Sequence, residues 1–189
     1  MPHRDRFAAN KFYHLYNRGN NRQAIFFERE NFVFLLRLFN ECCPIADVEI
    51  VAYCLMPNHF HLLVRVLKEQ ALSGHMQSLA LRYTKSVNAS RNRTGSLLEG
   101  RFQSSYVDSD EYLIHLSRYI HLNPVEAGLV SKAEMWEFSS YRDYLGLRQG
   151  KLPKPDVVLA QFATLQAYKE FVESYQKSDK ERIAKYALD

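Results

Sequence analysis

The chain has little cysteine and no long apolar run, and both shortages narrow what it can be. Its 189 residues include three cysteines, Cys42 and Cys43 adjacent and Cys54 apart. An odd number without a Cys-x-x-Cys pair indicates neither a disulfide framework nor a zinc knuckle, and is what buried thiols in a reducing compartment look like. No apolar stretch approaches the roughly 20 residues that cross a bilayer. The opening Met-Pro-His-Arg-Asp-Arg is not followed by a signal-type apolar core. A cytoplasmic protein without membrane contact is expected. Also missing are an internal repeat, a P-loop and the glycine pattern of a dinucleotide site.

What is there reads as one domain with a tail. A chain of this length can bury one good core, and 47% hydrophobic with 24% charged residues is ordinary for a globular protein. Hydrophobic periodicity predicts strands over 12–17, 49–55, 59–66 and 101–107 and helices over 28–43, 75–89 and 108–124. The first helix places Phe32, Leu35, Leu36 and Phe39 on its inner face; the second repeats Met76, Leu79, Tyr83 and Val87, with Arg82 and Lys85 turned outward. In the third, Asp108 and Glu111 have capping-box spacing and Pro124 marks the end. This order predicts an α+β fold, helices packed on a mainly antiparallel sheet with ferredoxin-like or RRM-like connectivity. Residues 148–155 read as a linker, after which Thr164 caps a helix with Leu165, Tyr168, Phe171 and Val172 on one face. The expected division is a main domain over 1–147, the linker, and a small helical C-terminal appendage over 156–189.

Two short segments carry chemistry. In Met56-Pro57-Asn58-His59-Phe60-His61-Leu62-Leu63-Val64, strand alternation sends His59 and His61 to one face and Phe60 to the other. Neutral imidazole is the commonest protein metal ligand, and two on one strand face can grip one ion. In Ser117-Arg118-Tyr119-Ile120-His121-Leu122-Asn123-Pro124-Val125, helical spacing stacks Tyr119 and Asn123 on one face, with His115 a turn earlier. That sets a possible nucleophile beside a possible third ligand. His115, His121, a water or a residue on the first strand could stand in for Asn123.

A net charge of +4 is modest, but its distribution is uneven. Arg4, Arg6, Lys11, Arg18 and Arg22, and then Arg82, Lys85, Arg91, Arg93 and Arg101, hold ten of the 25 basic residues with few acids between them. Such clusters can neutralise phosphates.

A His-x-His strand followed by a tyrosine-bearing helix resembles the single-tyrosine HUH nucleases, and most closely the REP-associated tyrosine transposases related to small bacterial insertion-sequence transposases. The runs Tyr13-His14-Leu15-Tyr16-Asn17-Arg18-Gly19, Met56 to Val64, Glu99-Gly100-Arg101-Phe102 and Tyr119 to Leu129 stand in the family's order and spacing. They continue into Phe138-Ser139-Ser140-Tyr141 and Tyr144-Leu145-Gly146, so the resemblance covers about residues 10–150. Glu126 departs from it, since many relatives carry a basic residue there. The resemblance implies an HUH nuclease core over 1–147 and a metal-dependent single-stranded DNA endonuclease and strand transferase. It implies Tyr119 as nucleophile, a 5′-phosphotyrosine intermediate and a hairpin-forming DNA substrate. Mg2+ or Mn2+ is expected at His59, His61 and Asn123, because the reacting group is a phosphate and one ligand an amide oxygen. Arg18, Arg22, Arg82, Lys85, Arg91, Arg93 and Arg101 are the expected DNA contacts. A monomer is expected, with a homodimer as the alternative. Two other readings share the layout: a hydrolase in which water attacks, which would cleave without a covalent adduct, and a non-catalytic RRM-like nucleic-acid-binding module, against which the intact histidines and tyrosine argue.

Overall fold

Strands β2 (Val48–Met56) and β3 (His59–Val66) are apolar on both faces, so each must be covered on both sides. The computed structural model, which describes residues 7–175, meets that demand with a four-stranded antiparallel sheet in the order β2-β3-β1-β4. β1 spans Lys11–Arg18 and β4 spans Gln103–Val107. β3 is antiparallel to both β1 and β2 and lies between them, which is the split β-α-β of a ferredoxin-like fold. The α+β architecture is the expected one.

Helices α1 (Arg29–Cys42) and α2 (Ala71–Ser90) cover one face. Phe32, Leu35, Leu38 and Phe39 of α1 join Leu72, Met76, Leu79, Tyr83 and Val87 of α2 against Leu15, Phe60, Leu62 and Val64. The inner stripe of α1 is turned slightly from the predicted one: Leu38 is fully buried and Leu36 sits at the rim, because 35, 38, 39 and 42 complete an i, i+3, i+4, i+7 set. Helix α3 (Asp110–Glu126) covers the other face, with Leu113, Leu116 and Ile120 over Ala52, Cys54, Met56 and Leu63. Its cap is Ser109, whose Oγ accepts from the Tyr112 N–H at 3.2 Å, so the helix starts one residue later than an Asp108 cap would place it. Pro124 lies inside the last turn instead of ending it. There its missing N–H costs a single bond, and its carbonyl still accepts from the Leu129 N–H.

Beyond α3 the chain adds α4 (Tyr141–Tyr144), α5 (Asp156–Leu159) and α6 (Leu165–Glu173). Thr164 caps α6 as expected, accepting from Ala167 N–H at 3.0 Å. Val158, Tyr168 and Val172 belong to the same apolar cluster as α3, so this part of the appendage shares the core. Residues 148–155 are not a free spacer. Arg148 pairs with Asp143, donates to the carbonyls of Glu137 and Ser139 at 2.7 and 2.6 Å and to the Tyr53 hydroxyl at 3.0 Å, and Lys154 N–H donates to Ile50 O at 2.8 Å. Composition marked the stretch as polar; it carries no sign of which carbonyls would receive those donors. The last part of the expected appendage, residues 176–189, and Arg4 and Arg6 lie outside the described residues. Among the described residues no helix is long and apolar enough to cross a membrane.

Candidate active site

The site lies where β3 passes under α3. Alternation along β3 places His59, His61 and Leu63 on the α3 side and buries Phe60 in the α1/α2 core. The helical period brings Tyr119 and Asn123 to the face of α3 that meets them. Asn123 Oδ1 is 3.5 Å from His59 Nε2, and the Tyr119 ring stands nearly perpendicular to that of His61, centroids 5.3 Å apart. The four residues that alternation and helical spacing single out are therefore one cluster.

The proton positions follow from the bonds around it. Asn58 uses its amide N–H to reach Arg22 O at 3.3 Å, which leaves its Oδ1 to accept from His59 Nδ1 at 2.7 Å. His59 then carries its hydrogen on Nδ1 and a lone pair on Nε2. Asn123 donates from Nδ2 to Tyr119 O at 2.9 Å, so its Oδ1 also presents a lone pair. Two acceptors thus face each other across 3.5 Å. His61 is fully buried; its Nδ1 lies 3.0 Å from His14 Nε2, and its Nε2 has no partner.

Burial is the main electrostatic force on these rings. It lowers the pKa of His59, opposed by the Asn123 amide oxygen, which would accept a hydrogen bond from the protonated ring. It holds His61 well below the usual histidine range, reinforced by the neighbouring His14 and His59, and brings His14 down to about 3. All three are neutral at pH 7 and able to offer lone pairs.

These observations bear on whether a metal ion fits. Facing acceptors, an unpartnered buried nitrogen and neutral rings are a donor set that lacks a positive partner. Among the described residues no three His, Cys, Asp or Glu side chains are grouped to hold an ion, so a third protein ligand has to come from another residue type, such as the Asn123 amide. The other histidines considered for that place face elsewhere. His115 lies against Arg118 and the Phe171 ring, and His121 bonds Tyr168 and Ser140.

The basic residues divide. Arg18, opposite His59 in the β1/β3 register, forms an ion pair with Glu99, and Arg22 acts on the same carboxylate in the short turn after β1. Arg91 and Arg93 lie over the Phe27 ring at 4.6 and 5.6 Å. Lys85 is exposed on α2. Arg82 is exposed on the outer face of α2 as well, but is paired there with Glu41 and touches Cys42 of α1. Helical phase places it outward from the sheet, but α1 packs beside α2 and supplies the acid. Arg101 borders a groove of about 1060 Å3 between α2 and the 96–102 segment, on the sheet face away from Tyr119. Two residues escaped the sequence reading, Asn58 and His14. The one available signal was polar residues beside or across from His59 and His61 in otherwise apolar strands.

Comparison with known proteins identifies the family. The model of the IS200-like transposase family matches residues 8–123, a span that holds His14, His59, His61, Tyr119 and Asn123. A Haemophilus influenzae protein named as a REP-associated tyrosine transposase is 25% identical over 113 residues, 54% of this chain and 64% of that protein. The chain thus matches a little under two thirds of that relative's length. The solved structure of a REP-associated tyrosine transposase bound to a REP hairpin superposes with a TM-score of 0.61 at 16% identity, covering 82% of this chain and 97% of that one, a likeness of fold. With more than half of its length matched by the family model, and both halves of the site inside the match, the chain belongs to the IS200-like transposases.

Proposed function

We propose that this protein cuts and rejoins single-stranded DNA beside a REP-like hairpin, through a covalent bond between Tyr119 and a 5′ phosphate. The observation that carries the reading is the juxtaposition of Tyr119 with two facing lone pairs, His59 Nε2 and Asn123 Oδ1, at 3.5 Å. A donor set of two neutral imidazoles and one amide oxygen, with no carboxylate or thiolate, suits Mg2+ or Mn2+ on a phosphate substrate. His59, His61 and Asn123 would hold it. When bound, the ion supplies positive charge to a non-bridging phosphate oxygen.

The protein's own part is positional. Tyr119 is nine-tenths buried, its ring held edge-on against His61 and His14, which limits the arc its phenolic oxygen can sweep. In the reaction that oxygen attacks phosphorus and gives its proton to water. The bond from phosphorus to the 3′ oxygen breaks, and that oxygen takes up a proton as a 3′ hydroxyl. The phosphotyrosine conserves the diester, so a later DNA 3′ hydroxyl can displace Tyr119 and join strands without ATP. Arg18, opposite His59 in the register, and Arg22 would meet flanking phosphates in competition with Glu99.

End-labelled single-stranded DNA carrying a hairpin, incubated with protein and Mg2+ and run on a denaturing gel, tests this. A labelled protein-DNA adduct is expected, absent for Tyr119→Phe although DNA binding persists. Cleavage without adduct would show water to be the nucleophile, and normal cleavage by Tyr119→Phe would overturn the assignment of Tyr119.

A further inference from the structure

We infer that His14 is a positioning residue for His61: its Nε2 accepts the Nδ1 proton of His61 and so keeps the other nitrogen of that ring a lone pair. The inference rests on the reading of His59, His61 and Asn123 as the residues that hold the ion.

His14 and His61 are diagonal neighbours on the α3 side of the sheet. The register pairs His14 with Leu63 and Tyr16 with His61, and the two imidazoles lie nearly parallel with centroids 5.1 Å apart. Both are fully buried, and Nε2 of one is 3.0 Å from Nδ1 of the other. A contact of this length between neutral imidazoles holds one proton. If it belongs to His61 Nδ1, His61 Nε2 is a lone pair. If it belongs to His14 Nε2, His61 Nε2 carries a hydrogen and cannot be a ligand.

The protein by itself does not choose. His14 Nδ1 and His61 Nε2 both lack partners, so either arrangement strands one buried N–H. A cation at His61 Nε2 does choose, because only the first arrangement admits it. The neighbouring ring supports the same direction. There the acceptor is an amide oxygen, Asn58 Oδ1, and it leaves His59 Nε2 as the lone pair. Each histidine of the pair thus has one nitrogen tied to an acceptor, which is how protein ligands are commonly oriented. His14 also needs a reason to exist. Phenylalanine would fill a buried sheet position without stranding a nitrogen, so stability alone does not account for a histidine there.

The experiment measures Mn2+ binding to the full chain by calorimetry, without DNA, for the parent, His14→Phe and His14→Gln. Phenylalanine keeps the ring and removes the acceptor; glutamine restores a polar group near the Nε2 position. The expected result is affinity about 10- to 100-fold weaker for His14→Phe, the usual effect of removing such a partner, with His14→Gln within a few-fold of the parent. A His14→Phe protein that binds as tightly as the parent, or a His14→Gln protein as weak as His14→Phe, overturns the role. The nitrogen-15 spectrum of the Mg2+-loaded parent is an independent arm that needs no variant to fold. A hydrogen on His61 Nδ1 and none on Nε2 is expected, and the reverse overturns the inference. A parent without saturable Mn2+ binding defeats the ion-holding reading itself, whatever the variants do.

Discussion

Two buried clusters lie on either side of α3, one around His121 and one around His61 and His14, and they are unequally satisfied. On the α6 side, His121 has both nitrogens bonded, Nδ1 to the Tyr168 hydroxyl and Nε2 to Ser140 Oγ, each at 2.8 Å. Tyr168 reaches on to Ser117, and Ser140 to the backbone of Tyr53, so the network closes on itself. On the β3 side, His61 and His14 each keep one nitrogen without a partner, and His59 meets another acceptor. His121, His61 and His14 are all fully buried, and desolvation lowers the pKa of each. What separates a structural histidine from one prepared for a ligand is therefore how many of its bonds are already made.

The hardest test of that contrast removes the unsatisfied side. His59→Ala and His61→Ala should each lower Mg2+-stimulated cleavage more than 100-fold, beyond the usual 10- to 100-fold effect of losing a ligand's outer partner. Wild-type rates from either variant across a Mg2+ titration would dissolve the distinction. Acid should then reveal what the two clusters have in common. His14 and His121 are held at about 3 when folded, against about 6.5 in the unfolded chain, so the unfolded chain takes up protons first as pH falls. Their contribution is intact above about pH 6.5 and declines below it. At pH 5 each should cost about 2 kcal/mol, measured as metal-free unfolding by urea at pH 7 and pH 5. A flat profile would mean that neither ring is held neutral.

A smaller effect is expected from the satisfied side alone. His121→Leu strands hydroxyls that retain other partners, and should destabilise by about 2 kcal/mol in urea titrations while Mn2+ affinity stays within a few-fold. Loss of metal binding in that variant would make His121 part of the site. The smallest effect extends the same logic to the basic residues. Neutralising Lys85, Arg91 or Arg93 should flatten the slope of log DNA affinity against log salt by about 0.7 each for single strands. Arg82→Gln should change the slope less, since its charge is already opposed by Glu41. Equal slopes for Arg82 and Lys85 variants would show that the ion pair opens on binding.

Much of this is legible in the amino-acid sequence. Period-two alternation placed His59 and His61 together, period 3.6 placed Tyr119 and Asn123 together, and the order of elements predicted the sheet. Each is a local rule acting within one element. What was not legible depends on contacts between elements. No pattern within β1 says that His14 will meet His61 across a register, or that Asn58 will spend its amide hydrogens on Arg22. The same limit explains Arg148, whose flanking glycine and prolines read as a spacer although its guanidinium fastens the 137–143 region to Tyr53. Arg82 was phased correctly on its own helix, but its ion pair with Glu41 depends on α1 packing beside α2.

Asn123 spends one end of its amide on the Tyr119 carbonyl and offers the other to His59. Aspartate has no hydrogen to give that carbonyl and would turn its charge against it; glutamine would have to fold an extra methylene to make the same bond. The helix backbone thus works as the jig that aims its own side chain. Anyone grafting this arrangement onto another scaffold would need to move the tyrosine position, the asparagine and the four-residue interval as one piece.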